Sequence, residues 1–473
     1  MDRKTKQLGK NFGLFTIGSF ASKILTFLLV PLYTNVLTTA EYGIVDLINT
    51  TVSLTFPLAI LVISEAVIRF CLDGISDKKQ VWSIGFYINL VGCVFLSILS
   101  PLLCFTVLRD YVLFYVLSCF ALSFHQTVSQ FVKGNCSAKI YAAGGIINTI
   151  VVVTLNILFL LVFKWGLTGY LIAIASGHFI TILYYFIRAK SWRYFVWINK
   201  IDKKQLSEML RYSLPMLPNS LSWWINDSSD KYIVQYFCGL SVNGIYAIAY
   251  KIPTLMTTIS NLFISAWQIS AFEDFGSDES IKFFNKIAND YIKLNLIVSS
   301  GLVFLTRPLA LILFASDFYS AWKYTPILVL AFVFSTLSSF WGTVYTAAKK
   351  TKMLFYSTLI GAAVNIVLDL LFTPWIGAYG AAIATLLSYL TIFIIRIINS
   401  KRIIQLKIHM KSICISFVLV VIEICIYSNE SYYSLIVAAL IFLVVCIINR
   451  SIVSDYVKPI ICSLVNRNKE VEK

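Results

Sequence analysis

Asn365-Ile366-Val367, followed by Gly377-Ala378-Tyr379-Gly380-Ala381-Ala382-Ile383-Ala384-Thr385, repeats a pattern already present upstream. The earlier copy reads Asn156-Ile157-Leu158, then Gly166-Leu167-Thr168-Gly169-Tyr170-Leu171-Ile172-Ala173-Ile174-Ala175-Ser176. Each copy closes an apolar segment with Asn-Ile, turns through G-x-x-G and opens a helix rich in small residues. A weaker match pairs Leu37-Thr38 and Gly43-Ile44 with Leu240-Ser241 and Gly244-Ile245, allowing one gap. Six apolar segments separate the copies, so both halves enter a bilayer in the same orientation. This arrangement predicts two six-helix lobes related by a pseudo-two-fold along the membrane normal, with a path between them. The alternative reading of G-x-x-G is a tight hairpin between two helices.

The segments around the repeat fix the class. Residues 12–37, 42–70, 81–105, 111–132, 140–163, 167–187, 212–238, 243–269, 291–314, 324–347, 353–372, 378–395, 413–427 and 432–448 form fourteen apolar stretches. Most are near the ~20 residues a helix needs to cross ~30 Å of hydrocarbon. The chain is 58% hydrophobic and 13% charged, a composition that excludes an ordinary soluble domain. The predicted fold is an all-α polytopic membrane protein. Lys and Arg fall almost wholly on one side: Arg3, Lys4, Lys6 and Lys10, the even-numbered connections, and Arg450, Lys458, Arg467, Lys469 and Lys473. Only Arg109, Lys164, Arg307 and Lys323 lie in or near the other connections. The basic side is cytoplasmic, which places both termini there, and the +16 net charge marks orientation and anionic lipid rather than nucleic acid. The first apolar stretch is a full span with no small-residue cleavage site, so no cleavable signal peptide is expected.

The lobes are expected over residues 1–190 and 212–400, with a linker at 191–211 and a helix pair and tail over 401–473. The connection 188–211 carries Trp192, Tyr194, Phe195 and Trp197 beside Lys200, Lys203 and Lys204. It reads as an amphipathic helix lying on the cytoplasmic leaflet. The stretch 272–286 reads as a solvated loop. Pro215, Pro218 and Pro253 should bend or break their helices. The ten cysteines form no C-x-x-C pair and read as small buried hydrophobes. His125, His178 and His409 are too dispersed to suggest a metal, and no Walker A, H-E-x-x-H or nucleophile-elbow motif is present. No cofactor is expected, and work must come from an ion gradient or from consumption of product.

Ionisable side chains at membrane depth mark polar cavities or partners. Lys23 lies midway along the first span, Asp227, Asp230 and Lys231 in the seventh, and Lys251 in the eighth. Asp227 and Lys231 are spaced i, i+4 on one helix face. Aligning the halves brings Lys23 near Asn226 and Asp227. Three lysines against two aspartates predict a cationic cavity suited to a phosphate or diphosphate headgroup. The plainer reading pairs Lys23 with Asp227, and Lys231 with Asp227 or Asp230. Trp224 is a candidate platform for a sugar ring, and Trp223, Trp267 and Trp341 are weaker ones. Glu65 and Arg69, also i, i+4, read as an inner gate or a plain intrahelical pair. Asp46, Asp369 and Glu423 receive no role.

Phe27-Leu28-Leu29-Val30-Pro31-Leu32-Tyr33-Thr34, with Leu37, Glu41-Tyr42-Gly43 and Asp46-Leu47, resembles the opening of Wzx-type polysaccharide flippases. These belong to the multidrug/oligosaccharidyl-lipid/polysaccharide (MOP) exporter superfamily. Val364-Asn365-Ile366-Val367, Pro374, Gly377, Gly380 and the small residues to Thr385 resemble that family's link between the eleventh and twelfth helices; Asp369 stands where many relatives carry Asn. The resemblance covers essentially the whole chain and its 6+6+2 plan, a MATE-like fold. It implies alternating-access transfer of an undecaprenyl-diphosphate-linked oligosaccharide to the outer leaflet of a bacterial inner membrane, for O-antigen, capsule or exopolysaccharide. It implies membrane lipids, a glycan polymerase, chain-length proteins and a coupling H+ or Na+ as partners.

Three other readings remain open, one of which, a flippase for lipid II or a spore-wall precursor, differs only in cargo. An ion-coupled multidrug or cation antiporter of the same superfamily should place uncompensated carboxylates in its cavity. A membrane glycan polymerase should bring a large outer loop with catalytic Arg or His, and no such loop is present.

Overall fold

Long apolar runs leave the backbone no solvent partner in a bilayer, so it must bond to itself as helix. The structure, a computed structural model, describes residues 25, 27–136, 138–273, 278–348, 350–404, 410–427 and 431–452. Every regular element among them is helical. The first unit opens with α1 (Val30–Val36), α2 (Thr39–Ala59), α3 (Ile63–Leu72), α4 (Lys78–Leu99), α5 (Val112–Asn135), α6 (Ala138–Ile157) and α7 (Gly166–Arg188). There follow α8 (Lys203–Ser213), α9 (Leu217–Cys238), α10 (Leu240–Ala249), α11 (Thr254–Glu273) and α12 (Asp278–Leu313). The chain continues through α13 (Thr325–Ala347), α14 (Thr351–Ile376), α15 (Ala378–Ser400), α16 (Met410–Tyr427) and α17 (Tyr432–Ile448). Among the described residues, 8 helices are long and apolar enough to cross a membrane, or 9 if the bent α2–α3 pair is one span. The chain is a multi-pass, all-α membrane protein.

Two of the sequence-derived spans are broken. The second bends by 57° between α2 and α3. There Leu61 (φ 55°) and Val62 (φ 51°) take left-handed backbone, which costs about 1–2 kcal/mol per non-glycine residue. The Val62 N–H closes the break on the Pro57 carbonyl at 2.9 Å. The eighth span breaks at 250–253 as Pro253 predicts, and α11 restarts at Thr254. Pro218 instead sits in the first turn of α9, where its missing N–H is harmless, and Pro215 lies in a short 3₁₀ turn.

Two connections differ from expectation. Of the stretch 272–286 the described residues are helical, since α11 extends to Glu273 and α12 begins at Asp278, so Lys282 and Lys286 ride a helix; 274–277 lie outside the described residues. Between 188 and 211 only α8 is α-helical, capped by Asp202, whose carboxylate accepts from the Lys204 N–H at 2.8 Å. Upstream, two 3₁₀ turns are tied to α4. Ser83 donates to the Tyr194 carbonyl (3.1 Å) and accepts from the Val196 N–H (2.8 Å). Trp192 and Trp197 stay exposed.

Two compact units divide the chain: Met1–Ala247 with Leu313–Phe318, and Ile248–Ile312 with Tyr319–Lys473. The first therefore runs past 191–211 and takes in α9, because α9 packs on α2. Its core gathers Ile63, Val67, Trp82, Phe131, Val132 and Met209 from α3, α4, α5 and α8. In the second unit α13 is almost wholly enclosed, and Trp267, Phe284, Phe340 and Trp341 pack face and edge around it. Trp267 and Trp341 are thus core residues, not sugar platforms. Arg396 is fully buried there and ties α15 to α13 and α14, donating to the Ser338 carbonyl (2.7 Å), Ser357 (2.9 Å) and Thr358 (2.8 Å).

The repeat has a physical basis in each unit. Gly166 (φ 55°) and Gly377 (φ 62°) both take backbone that side chains resist. The second glycine of each motif lets the following helix press on the preceding one. A Cβ at Gly169 would lie 3.0 Å from Phe159 Cβ, and one at Gly380 2.5 Å from the Phe372 carbonyl carbon.

Candidate functional site

The inward face of α9 is polar: Ser222, Asn226, Ser229 and Asp230 are buried. Part of that polarity is spent on the helix's own backbone. Ser222 donates to the Pro218 carbonyl (2.8 Å), Asn226 to Ser222 (2.8 Å) and Ser229 to Ile225 (2.7 Å).

The rest is spent across a seam within the first unit, where α9 runs antiparallel to α2. Lys231 Nζ meets Asp46 Oδ1 at 2.8 Å, with both side chains about 15% exposed (15% and 14%). The hydroxyls of Tyr232 and Thr51 bond to each other. Trp224 Nε1 donates to the Thr50 carbonyl (3.0 Å) and to Ser53 Oγ (3.2 Å). Asp230 accepts from the Tyr246 hydroxyl of α10 at 2.8 Å. Beyond these, α2 and α10 meet backbone to backbone at Gly43 and Gly244. A Cβ on Gly43 would strike the Leu240 carbonyl oxygen, and one on Gly244 that of Thr39. These two glycines are the pair that the weaker sequence repeat makes equivalent.

The seam adds to one expectation. Lys231 pairs with Asp46, a partner that the sequence reading did not name. Spacing along α9 suggested an intrahelical pair, but the charge turns outward to a helix 185 positions away in the chain. Asp227 is exposed. Lys251 lies in the 250–253 turn of the second unit, half-buried, and its ammonium makes no ion pair among the described residues. Lys23 lies outside the described residues. Trp224 is in the seam, with its indole N–H committed to α2. Glu65 accepts from Gln130 Nε2 of α5 at 3.3 Å while Arg69 is exposed, so these two form no ion pair. Asp46 is the residue that sequence reasoning passed over; its only signal was a carboxylate inside an apolar span.

The chemistry available here is exchange of a charged partner. Asp46 Oδ2 is buried and has no donor among the described residues, so the carboxylate is half-satisfied. Lys231 balances it with a point charge that an anionic ligand could equally engage. No group of three or more metal-ligating side chains occurs among the described residues.

A family model described as "Polysaccharide biosynthesis protein" matches residues 8–268. No curated protein matches the sequence. Among solved structures the fold is similar to the lipid II flippase MurJ in an inward closed conformation, at 20% identity and TM-score 0.67, covering 93% of this chain and 99% of that one. It is similar to an inward-facing multidrug resistance MATE family transporter of the MOP superfamily, at 13% identity and TM-score 0.66, over 82% of this chain and 98% of that one. It is also similar to a variant of the Vibrio cholerae MATE transporter VcmN, at 12% identity and TM-score 0.60, over 85% and 98%.

Proposed function

The chain belongs to the polysaccharide biosynthesis protein family, and from that premise we propose that it flips an undecaprenyl-diphosphate-linked oligosaccharide from the cytoplasmic to the outer leaflet of a bacterial inner membrane by alternating access. Both termini face the cytoplasm, as the distribution of Lys and Arg indicates. The observation that carries the reading is the Lys231–Asp46 pair at 2.8 Å, set among the hydrogen bonds of the α2–α9 seam inside two apolar spans. A charge pair at this depth carries a desolvation cost, and an ionisable group inside a span is by default a functional-site candidate. In this account the α2–α9 seam is a clasp. The diphosphate competes with Asp46 for Lys231, and the exchange weakens the clasp as cargo arrives. Lys23 and Lys251 are further candidate phosphate partners, Trp224 a sugar platform once its indole is released, and Asp227 an exposed carboxylate that repels misplaced anions. Glu65 and Arg69 remain candidates for an inner gate in another state of the cycle. Membrane lipids, a glycan polymerase, chain-length proteins and a coupling H+ or Na+ complete the proposed setting.

A cation antiporter is less well supported, because Asp46 already holds a cation of the chain itself, Lys231, at 2.8 Å. The test is gene deletion with complementation. Wild type should restore surface polysaccharide, and K231A should restore less than about a tenth of it, a loss equal to about 1.4 kcal/mol at the exchange step. Unchanged polysaccharide with heightened dye sensitivity in the deletion strain would favour the antiporter and overturn the proposal.

A further inference from the structure

The sequence spreads its histidines far apart, yet the fold brings two together. His125 on α5 and His178 on α7 lie 53 positions apart, and their Nδ1 atoms are 3.1 Å from each other. The rings stand 4.8 Å apart at 38°. Tyr185 stacks on His125 at 6.1 Å with its ring nearly parallel, at 8°. Both histidines sit near the middle of helices of 24 and 23 residues, at the depth where an ionisable group is rarest.

The geometry fixes the proton inventory. Two Nδ1 atoms at this distance must share one proton, because two lone pairs or two N–H groups would repel. In the neutral pair one ring donates from Nδ1 and keeps a bare Nε2; the other accepts at Nδ1 and carries its proton on Nε2. An incoming proton goes to the bare Nε2. The resulting imidazolium still donates from Nδ1 to its neutral neighbour, now through a charge-assisted bond. A second proton would have to enter the shared position, setting two cations head to head in an apolar bundle. The pair therefore accepts one proton and refuses another.

The surroundings leave this to the pair itself. Titratable groups on the helices packed around it include Glu65, which accepts from Gln130; Cys93, engaged with Ser123; Tyr141, whose ring lies 5.8 Å from Lys133 Nζ; and Tyr184 and Tyr185, with Arg69, Cys71, Lys78, Lys79, Tyr87, Cys119 and Lys139 elsewhere on those helices. Among the described residues no carboxylate forms an ion pair with either histidine. Of these groups, Tyr185 makes the ring contact with His125, and its hydroxyl is committed to the Tyr141 carbonyl at 2.8 Å.

We propose that His125 and His178 form a proton-binding dyad with a capacity of one proton, which grips α5 to α7 more tightly when loaded. In a chain that moves cargo, such a site ties helix packing to the proton gradient; that last step rests on the transport reading above, whereas the dyad does not.

The test is ¹⁵N-histidine NMR of the full chain in phospholipid nanodiscs, titrated from about pH 3 to 9, a range that extends well below the free-imidazole value. With 3 histidines the spectrum is assignable using H125L and H178L. The expected result is a single shared titration of the His125 and His178 rings, with one proton taken up per pair. Replacing either partner by Leu, which can neither donate nor accept, should lower the proton affinity of the remaining ring by about tenfold, the loss of one charge-assisted bond. Two independent titrations, no titration of either ring, or an unchanged affinity in both variants would overturn the proposal. Because this signal needs no glycan, it succeeds or fails separately from the surface-polymer assay.

Discussion

Lys231 shows how one side chain can be at home and poised in the same place. Its ammonium is 2.8 Å from Asp46 Oδ1, and the second Asp46 oxygen is left with no donor among the described residues. An exposed pair contributes ~0–1 kcal/mol, and removing one partner of a fully buried pair costs ~3–5 kcal/mol. At this intermediate burial, D46N and K231M should each lower stability by about 1–3 kcal/mol. The double variant should lose less than the two singles added together, since each single strands the other group. Thermal unfolding of the four proteins in detergent reads this directly; strictly additive losses would mean that the pair does not interact. That Lys231 matters was visible in the sequence as a cation in an apolar span. That Asp46 answers it was not, because nothing along the chain encodes which helix α9 packs against.

At the scale of elements, the helices follow from apolar run length, and so they were largely legible. The repeat was legible because Gly166 and Gly377 occupy backbone that other residues avoid. The break at Pro253 was legible too, since proline removes a donor. The bend between α2 and α3 was not. Leu61 and Val62 carry no turn signature, and their left-handed backbone is imposed by packing rather than preferred. The described part of 272–286 misled for a related reason: exposed charges such as Lys282 and Lys286 suit a solvated helix as readily as a loop. Gly43 supplies a test of sign. In an exposed helix position Gly→Ala stabilises by up to ~1 kcal/mol. Gly145, where an added Cβ would meet nothing within 4 Å, should follow that rule, so G145A should raise the melting temperature slightly. G43A should lower it, because its methyl would collide with the Leu240 carbonyl and part α2 from α10. Parallel melting curves of the two variants check the clasp; equal shifts in the same direction would remove its backbone contact from the account.

For the whole molecule, family and helical class give a multi-pass membrane protein of the polysaccharide biosynthesis family, and the proposed part of the account is what crosses the bilayer. Composition settled the class because 58% hydrophobic residues cannot be hidden in a soluble core. The sequence could not place the three lysines in space: Lys231 is bound to Asp46, Lys251 belongs to the second unit, and Lys23 lies outside the described residues. The most direct measurement reconstitutes the full chain into liposomes that hold a fluorescently tagged undecaprenyl-diphosphate oligosaccharide in both leaflets, and follows the tag's exposure to a membrane-impermeant quencher. The account expects wild type to bring inner-leaflet tag to the quencher far faster than protein-free vesicles do, with K231A close to the protein-free rate. Inner-leaflet tag that stays protected with wild-type protein present would contradict it.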